Sequence, residues 1–317
     1  MKPILSTIIC THNPRPHYIT RVIEALKSQT LPPDQWELLL IDNGSNTPLS
    51  SEIDLSWHPL GRHIREEKIG LTNARLRGFK EAIADIFVFA DDDNVLESDY
   101  LKNVVDIFQK YPNLGSIGGK SIPEFEVAPK PWFSQANISL GCRDFGDKIQ
   151  IDFWDKTSTE VSQETRQYPK CAPIGSGLVL RRQAAEKYTH YVTGNSLRLA
   201  LGRTGNQLTS GEDNDIILTL LEAGWGVGYF PQLKLTHLIP AGRLTKDYLA
   251  RLNRGISCSW VQVLDLHEIR PWSKIPRWTV FPRKVRAFFN YQPWKDPVSY
   301  IRWQGACGIF EGRAKLL

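Results

Sequence analysis

Three short apolar runs, residues 5–10 (LSTIIC), 37–41 (ELLLI) and 86–90 (IFVFA), alternate with amphipathic stretches, and each stops at a polar cluster. Runs with so few polar side chains suit strands buried on both faces of a sheet, which is the pattern of parallel strands joined by helical crossovers. After the first run, Ile19, Val22, Ile23 and Leu26 recur at helical spacing until Pro32-Pro33 forbids continuation. The first 120 residues therefore predict successive βα units. An edge strand at 63–67, helices at 71–84 and 98–110, and a strand near 116–119 complete them. The polar clusters Thr11 to Asn13, Asp42 to Ser45 and Asp91 to Asn94 fall at carboxyl ends of these strands, where open parallel sheets bind ligands.

The second half is less regular. Residues 121–173 carry Pro123, Pro129, Pro131, Pro169 and Pro173 and resist assignment. Beyond them the pattern predicts a strand at 174–180, a short helix at 181–187, a helix at 212–222 ended by Ala223-Gly224, and two short strands at 227–230 and 234–237.

Composition narrows the class. Hydrophobic residues at 41 % and charged residues at 23 % exclude a disordered or fibrous chain. Five cysteines, at 10, 142, 171, 258 and 307, form no C-x-x-C pair and read as reduced core thiols. No run reaches the ~18 apolar residues of a membrane span, and Met1-Lys2-Pro3-Ile4 leads into a strand instead of a signal-peptide core. The expectation is a cytoplasmic protein. Charge is uneven: residues 241–317 hold 14 Lys and Arg against 5 Asp and Glu, while residues 1–240 hold 25 against 29. The basic stretch also has five of the ten Trp (260, 272, 278, 294, 303), a mixture suited to an anionic bilayer surface or a nucleic acid.

Three consecutive aspartates after a buried strand repel one another unless solvent or a cation offsets them. A hard divalent ion, Mg²⁺ or Mn²⁺, held by alternate members such as Asp91 and Asp93, would in turn hold a nucleotide diphosphate. Taken alone, the cluster serves equally as a solvated acidic turn. Glu212-Asp213 opens a helix, where the dipole favours carboxylates, so capping and general-base roles are both open. His237 at a strand end fits a core histidine or a metal ligand. Arg75 and Arg77 can reach a phosphate from their helix, and Asp42 by itself fits an ordinary turn.

The joint order of these segments resembles glycosyltransferase family 2. Residues 6–30 (STIICTHNPRPHYITRVIEALKSQT) are similar to the family's opening strand, loop and helix, and 38–45 (LLLIDNGS) to its second strand and acidic turn. Residues 70–78 (GLTNARLRG) resemble its G-x-x-x-A-R-N-x-G segment, with Leu76 where Asn is common. VFADDDN at 88–94 resembles the D-x-D strand end, GEDND at 211–215 the E-D motif, and His237 the histidine that follows. The resemblance implies a GT-A type α/β fold: a doubly wound, mostly parallel sheet flanked by helices, with a basic, Trp-rich helical extension. It divides the chain into a catalytic domain at 1–240, with a nucleotide half at 1–120 and an acceptor half at 121–240, and an extension at 241–317.

It also implies roles. Thr11, Asn13, Asp42, Arg75, Asp91 and Asp92 bind the nucleotide; Asp93, Asp91 and His237 hold Mn²⁺ or Mg²⁺; Asp213, with Glu212 beside it, is the base of inverting sugar transfer. The donor is a nucleoside-diphosphate sugar, a UDP-sugar favoured, and the acceptor a glycan or a lipid-linked sugar, as in cell-surface polysaccharide synthesis. Arg302-Trp303 lacks the Q-x-x-R-W context of processive synthases, since Ser299 stands where Gln is needed, so single-sugar transfer is expected. Residues 241–255 resemble the basic helix that follows the histidine. The extension, with Trp272, Trp278, Arg283, Lys284, Arg286, Phe288 and Phe289, is expected either to dock on the inner membrane leaflet or to pack its Trp residues on the catalytic domain. No nucleic-acid motif is present. A nucleotidyltransferase, or a relative that binds a sugar nucleotide without turnover, is the alternative; the first would usually carry a Gly-rich loop near the start, and residues 10–16 (CTHNPRP) contain no glycine.

Overall fold

The computed structural model describes residues 2–154, 166–205 and 207–316. Residues 155–165 and 206, which belong to the stretches expected to shape the acceptor side, lie outside the described ones. Strands β1 (Leu5–Thr11), β2 (Trp36–Asp42), β3 (Gly61–Arg65) and β4 (Ile86–Phe89) pair in parallel, with β3 at the edge as expected. Helices α1 (Pro16–Lys27) and α2 (Leu71–Glu81) are the crossovers. Beyond β4 the sheet turns mixed through β5 (Asn94–Leu96), β6 (Leu114–Phe125), β7 (Gln150–Asp152), β8 (Val179–Arg181) and β9 (Gly226–Ile239). The order is β3-β2-β1-β4-β8-β6-β9-β5, with β7 also on β9; β6 runs parallel to β9, and β5, β7 and β8 pair antiparallel. The fold is thus the α/β, GT-A type sheet that the sequence led us to expect.

Period-two alternation puts each central strand in two cores. Leu5, Ile9, Leu38, Leu40 and Val88 face α1 and α3 (Tyr100–Lys110), whereas Ile8, Leu39, Ile41, Phe87 and Phe89 face the layer that holds α2. That layer also contains α5 (Arg182–Val192), reached after the single turn α4 (Phe133–Ala136), and α7 (Glu212–Glu222), reached after α6 (Ser196–Leu199). Burial on both faces is why these strands read as unbroken apolar runs.

Two expectations need correction. The segments at 227–230 and 234–237 belong to one strand, β9, because the ladder with β6 jumps from Gly118–Tyr229 to Lys120–Lys234 and so skips Pro231, which has no N–H to donate. Gly119 permits this irregularity: a Cβ there would sit 1.9 Å from the Leu233 carbonyl oxygen. The strand expected at 174–180 shrinks to Val179–Arg181, since Gly177 adopts φ +68° and bends the chain away from the sheet.

The C-terminal residues form α8 (Lys246–Leu266), α9 (Val280–Tyr291) and α10 (Pro297–Arg313). Thr245 accepts from the Tyr248 N–H and Asp296 from the Ser299 N–H, so side chains fix the starts of α8 and α10. Val263 and Leu264 of α8 pack on Leu201 and Leu218, and Leu249 and Ala250 pack with Ala136 and with Ile301 of α10. Trp260 and Trp272 join the first of these clusters, and Trp303 donates to the Lys284 carbonyl oxygen at 3.2 Å. These three tryptophans are packed; Trp278 and Trp294 are exposed.

Candidate active site

A cavity of about 450 Å³ opens at the carboxyl ends of β1, β2 and β4, a size suited to a small-molecule ligand. Each βα turn delivers polar residues to its rim because a parallel strand ends there and its helix begins beyond it. Thr11, Arg75, Asp91, Asp92, Asp93, Glu212, Asp213 and His237 all line it, although they are far apart in the chain. Asn13 and Asp42 do not. Asp42 accepts from the N–H groups of Ser45 (2.9 Å) and Leu49 (3.2 Å) and pairs with Arg65 (2.7 Å). Burial works to raise its pKa, and these hydrogen bonds overcome that and lower it. Asn13, at φ 48°, ties the first loop to the second: its N–H donates to Ser45 Oγ and its side-chain oxygen accepts from the Asn46 N–H. Both shape the turn from outside the cavity.

Arg75 is buried beneath the floor, its Nη1 3.5 Å from Glu212 Oε2 and its Nη2 4.0 Å from Asp91 Oδ1. The α2 helix carries Arg75 and the start of α7 carries Glu212, so this contact joins the two halves of the chain. Glu212 is 3 % exposed and neither carboxylate oxygen has a hydrogen bond among the described residues. Burial pushes its pKa up to about 7, against the pull of Arg75. Asp213, next on α7, is half-buried and points at the 174–178 loop, where the Gly175 N–H donates to Oδ2 at 3.0 Å. The Asn214 N–H donates to Oδ1 at 3.0 Å, so both oxygens are oriented by backbone groups.

The aspartate cluster is divided. Asp91 faces Arg75, Asp92 accepts from the Thr11 hydroxyl, and Asp93 turns to His237 (3.4 Å) and to Arg243 (3.0 Å). Burial and then the neighbouring Asp93 raise Asp92 to about 7. Burial alone would lower the pKa of His237; its hydrogen bond to Asp93 outweighs that and raises it to about 10. The expected trio Asp91, Asp93 and His237 is therefore not assembled as a cage: among the described residues no three His, Cys, Asp or Glu side chains gather tightly enough to hold a metal. The donor chemistry still suits Mg²⁺ or Mn²⁺, since Asp91, Asp92, Asp93 and the His237 imidazole line one cavity. Asp93 and His237 would hold such an ion, and the imidazole would shed its proton to do so.

Three residues lay outside the roles expected from sequence. Arg243, noted only as part of a basic helix face, reaches Asp93 and comes 3.4 Å from His237 Nε2. Ser176 and Cys142 flank His237 Nδ1 at 3.4 and 3.6 Å. Position alone, six residues after the histidine, was the available signal for Arg243; none existed for the other two.

Comparisons with known proteins bear on the family and the fold. Residues 6–189 match the model of the family described as glycosyl transferase family 2. The chain is 23 % identical over 257 residues to a glucosyl-dolichyl phosphate glucuronosyltransferase of Haloferax volcanii, covering 77 % of this chain and 72 % of that protein. Over 93 residues it is 31 % identical to polypeptide N-acetylgalactosaminyltransferase 8 of Drosophila melanogaster, covering 28 % of this chain and 16 % of that one. The fold matches S. aureus TarS residues 1–349 with a TM-score of 0.51 at 14 % identity, over 98 % of this chain and 89 % of that structure. Because the family model matches more than half of the chain, this protein is a member of glycosyltransferase family 2.

Proposed function

We propose that the protein transfers one sugar, with inversion, from a nucleoside-diphosphate sugar to a hydroxyl of a glycan or lipid-linked acceptor, with a UDP-sugar as the favoured donor. The observation that carries this reading is the meeting of Arg75, Asp91 to Asp93, Glu212, Asp213 and His237 around one cavity. Asp213 takes the acceptor proton as the hydroxyl oxygen bonds to the anomeric carbon and the bond from that carbon to the diphosphate breaks. Its backbone-held oxygens suit it to that task, whereas Glu212 is buried, set against Arg75 and raised to about 7. Arg75 places a fixed positive charge beneath the donor phosphates. A divalent cation, when bound, would neutralise charge on the departing diphosphate.

The name of the Haloferax relative, which contains glucosyl-dolichyl phosphate, supports a lipid-linked acceptor here, and a role in cell-surface polysaccharide synthesis would follow from such an acceptor. The basic extension at 241–317 would then meet an anionic membrane surface from the cytoplasmic side as a peripheral protein. Among the described residues no helix is long and apolar enough to cross a membrane. The test is thermal melting with UDP, GDP, dTDP and CDP, each with and without Mn²⁺, followed by donor turnover. A nucleotide at ~100 times its Kd adds about 2.7 kcal/mol. A metal-dependent shift with UDP supports the proposal; no shift with any nucleotide overturns it, and a shift without turnover on any donor leaves a binding-only protein.

A further inference from the structure

The packed and exposed tryptophans of the extension lie on different segments. While Trp260, Trp272 and Trp303 are packed, the segment from Arg277 through α9 to Trp294 exposes Trp278 (79 %), Phe281 (75 %), Phe289 (63 %) and Trp294 (56 %). Phe281, Val285 and Phe289 stand four residues apart on α9, so they form one outward ladder, and Trp278 one turn earlier extends it. Neighbouring positions of α9 hold it to the body: Ala287 is buried, Lys284 pairs with Glu311 of α10, and Phe288, beside the ladder, packs edge-on to Trp303. The ladder is therefore not a core face that frayed open.

Charge names the occupant. Residues 271–295 contain six Lys and Arg and no Asp or Glu. Arg286 stands one turn before Phe289 and Arg283 one turn before Arg286, and neither they nor Arg277 form an ion pair among the described residues. A helix with an exposed aromatic stripe, tryptophans at both ends and unneutralised arginines along its flank is built for the interface of an anionic bilayer. A protein partner of ordinary composition would not need an acid-free segment of this length.

We infer that the outer face of α9, with Trp278, Phe281, Val285, Phe289 and Trp294, inserts into the headgroup region of an anionic lipid surface, while α8 and α10 are the struts that hold it to the catalytic fold. The inference rests on the reading of the extension as membrane-facing and assigns the contact to one element of it. Tyr300 and Ile301 of α10, just beyond Trp294, pack in a cluster with Leu140, which lines the active-site cavity. The anchor is thereby fixed to the wall of the site that would receive a lipid-linked acceptor.

Co-sedimentation of the full chain with phosphatidylglycerol–phosphatidylcholine vesicles, and with phosphatidylcholine alone, tests this. Binding is expected to the anionic vesicles and to fall with salt. Removing Trp278, Phe281 and Phe289 together (to Ser) should weaken it at least tenfold, and R283E with R286E should weaken it by roughly fivefold per removed charge. Nucleotide-induced melting shifts of both variants should equal wild type, because these residues lie outside the cavity. No binding of wild type at low salt overturns both the membrane reading and the α9 assignment. Equal binding by the Ser variant overturns the assignment alone. A wild-type dimer that the Ser variant dissociates shows a self-association face and likewise overturns it.

Discussion

Replacing His267 by alanine should be the most damaging single change away from the cavity. This histidine caps α8 and is fully buried, with Nε2 2.7 Å from Asp215 Oδ1 and Nδ1 2.9 Å from Glu222 Oε1. Two carboxylates facing two ring nitrogens require the doubly protonated ring. Arg198 shares Asp215, so α6, α7 and α8 meet at one ionic cluster, two residues along α7 from Asp213. Truncation leaves Asp215, itself buried, with Arg198 as its remaining cationic contact among the described residues. Breaking a buried pair in this way costs about 3–5 kcal/mol. At roughly 1.5 °C per kcal/mol for a chain of 317 residues, Tm should fall by about 5–8 °C. The pH dependence is distinctive. Burial tends to lower the pKa of His267, but the hydrogen bonds with Asp215 and Glu222 prevail and raise it above its usual 6.5. A raised folded-state value means the stabilisation is complete below about pH 6.5 and disappears as pH climbs through the folded value. Differential scanning calorimetry of wild type, His267→Ala and His267→Gln from pH 6 to 9 should show the largest Tm gap at pH 6, narrowing towards alkaline pH, with Gln intermediate. A loss below about 3 °C, or a gap that does not change with pH, would refute the argument that this cluster is charged and couples the extension to the catalytic helix.

Asp213→Asn should lower kcat by about 10²- to 10⁴-fold while the nucleotide-induced melting shift stays at its wild-type value; loss of both would mean the residue binds donor instead of acting as base. Arg243→Ala releases Asp93 and His237 from the guanidinium, so Mn²⁺ alone should give a larger melting shift than in wild type, and EDTA should abolish the gain. Glu212, raised from 4.5 to about 7 by burial, takes up a proton on folding, so wild type should lose stability as pH rises from about 4.5 to 7. Glu212→Gln carries no such proton, and its Tm relative to wild type should climb across that window; a constant difference would show that Glu212 is already ionised at pH 5.

The βα alternation and the place of the polar clusters follow from residue order alone, because strands buried on both faces leave continuous apolar runs and parallel strands must end where the next helix begins. β1, β2 and β4 were legible to within a residue, and so was α7, bounded by Gly211 and Gly224. Chain order among the motifs was enough to gather Arg75, the aspartates, Glu212, Asp213 and His237 into one expectation. Their partners are a matter of three-dimensional packing. Arg75 meets Glu212 and Asp93 meets Arg243 across separations that no local periodicity encodes. The 174–180 segment alternates like a strand, yet Gly177 turns it into the loop that orients Asp213. Trp and basic residues are interleaved throughout the tail, so the sequence does not separate one Trp from another; which aromatics are packed and which face outwards depends on how α8 and α10 pair, and that pairing is fixed by contacts between helices, not within them.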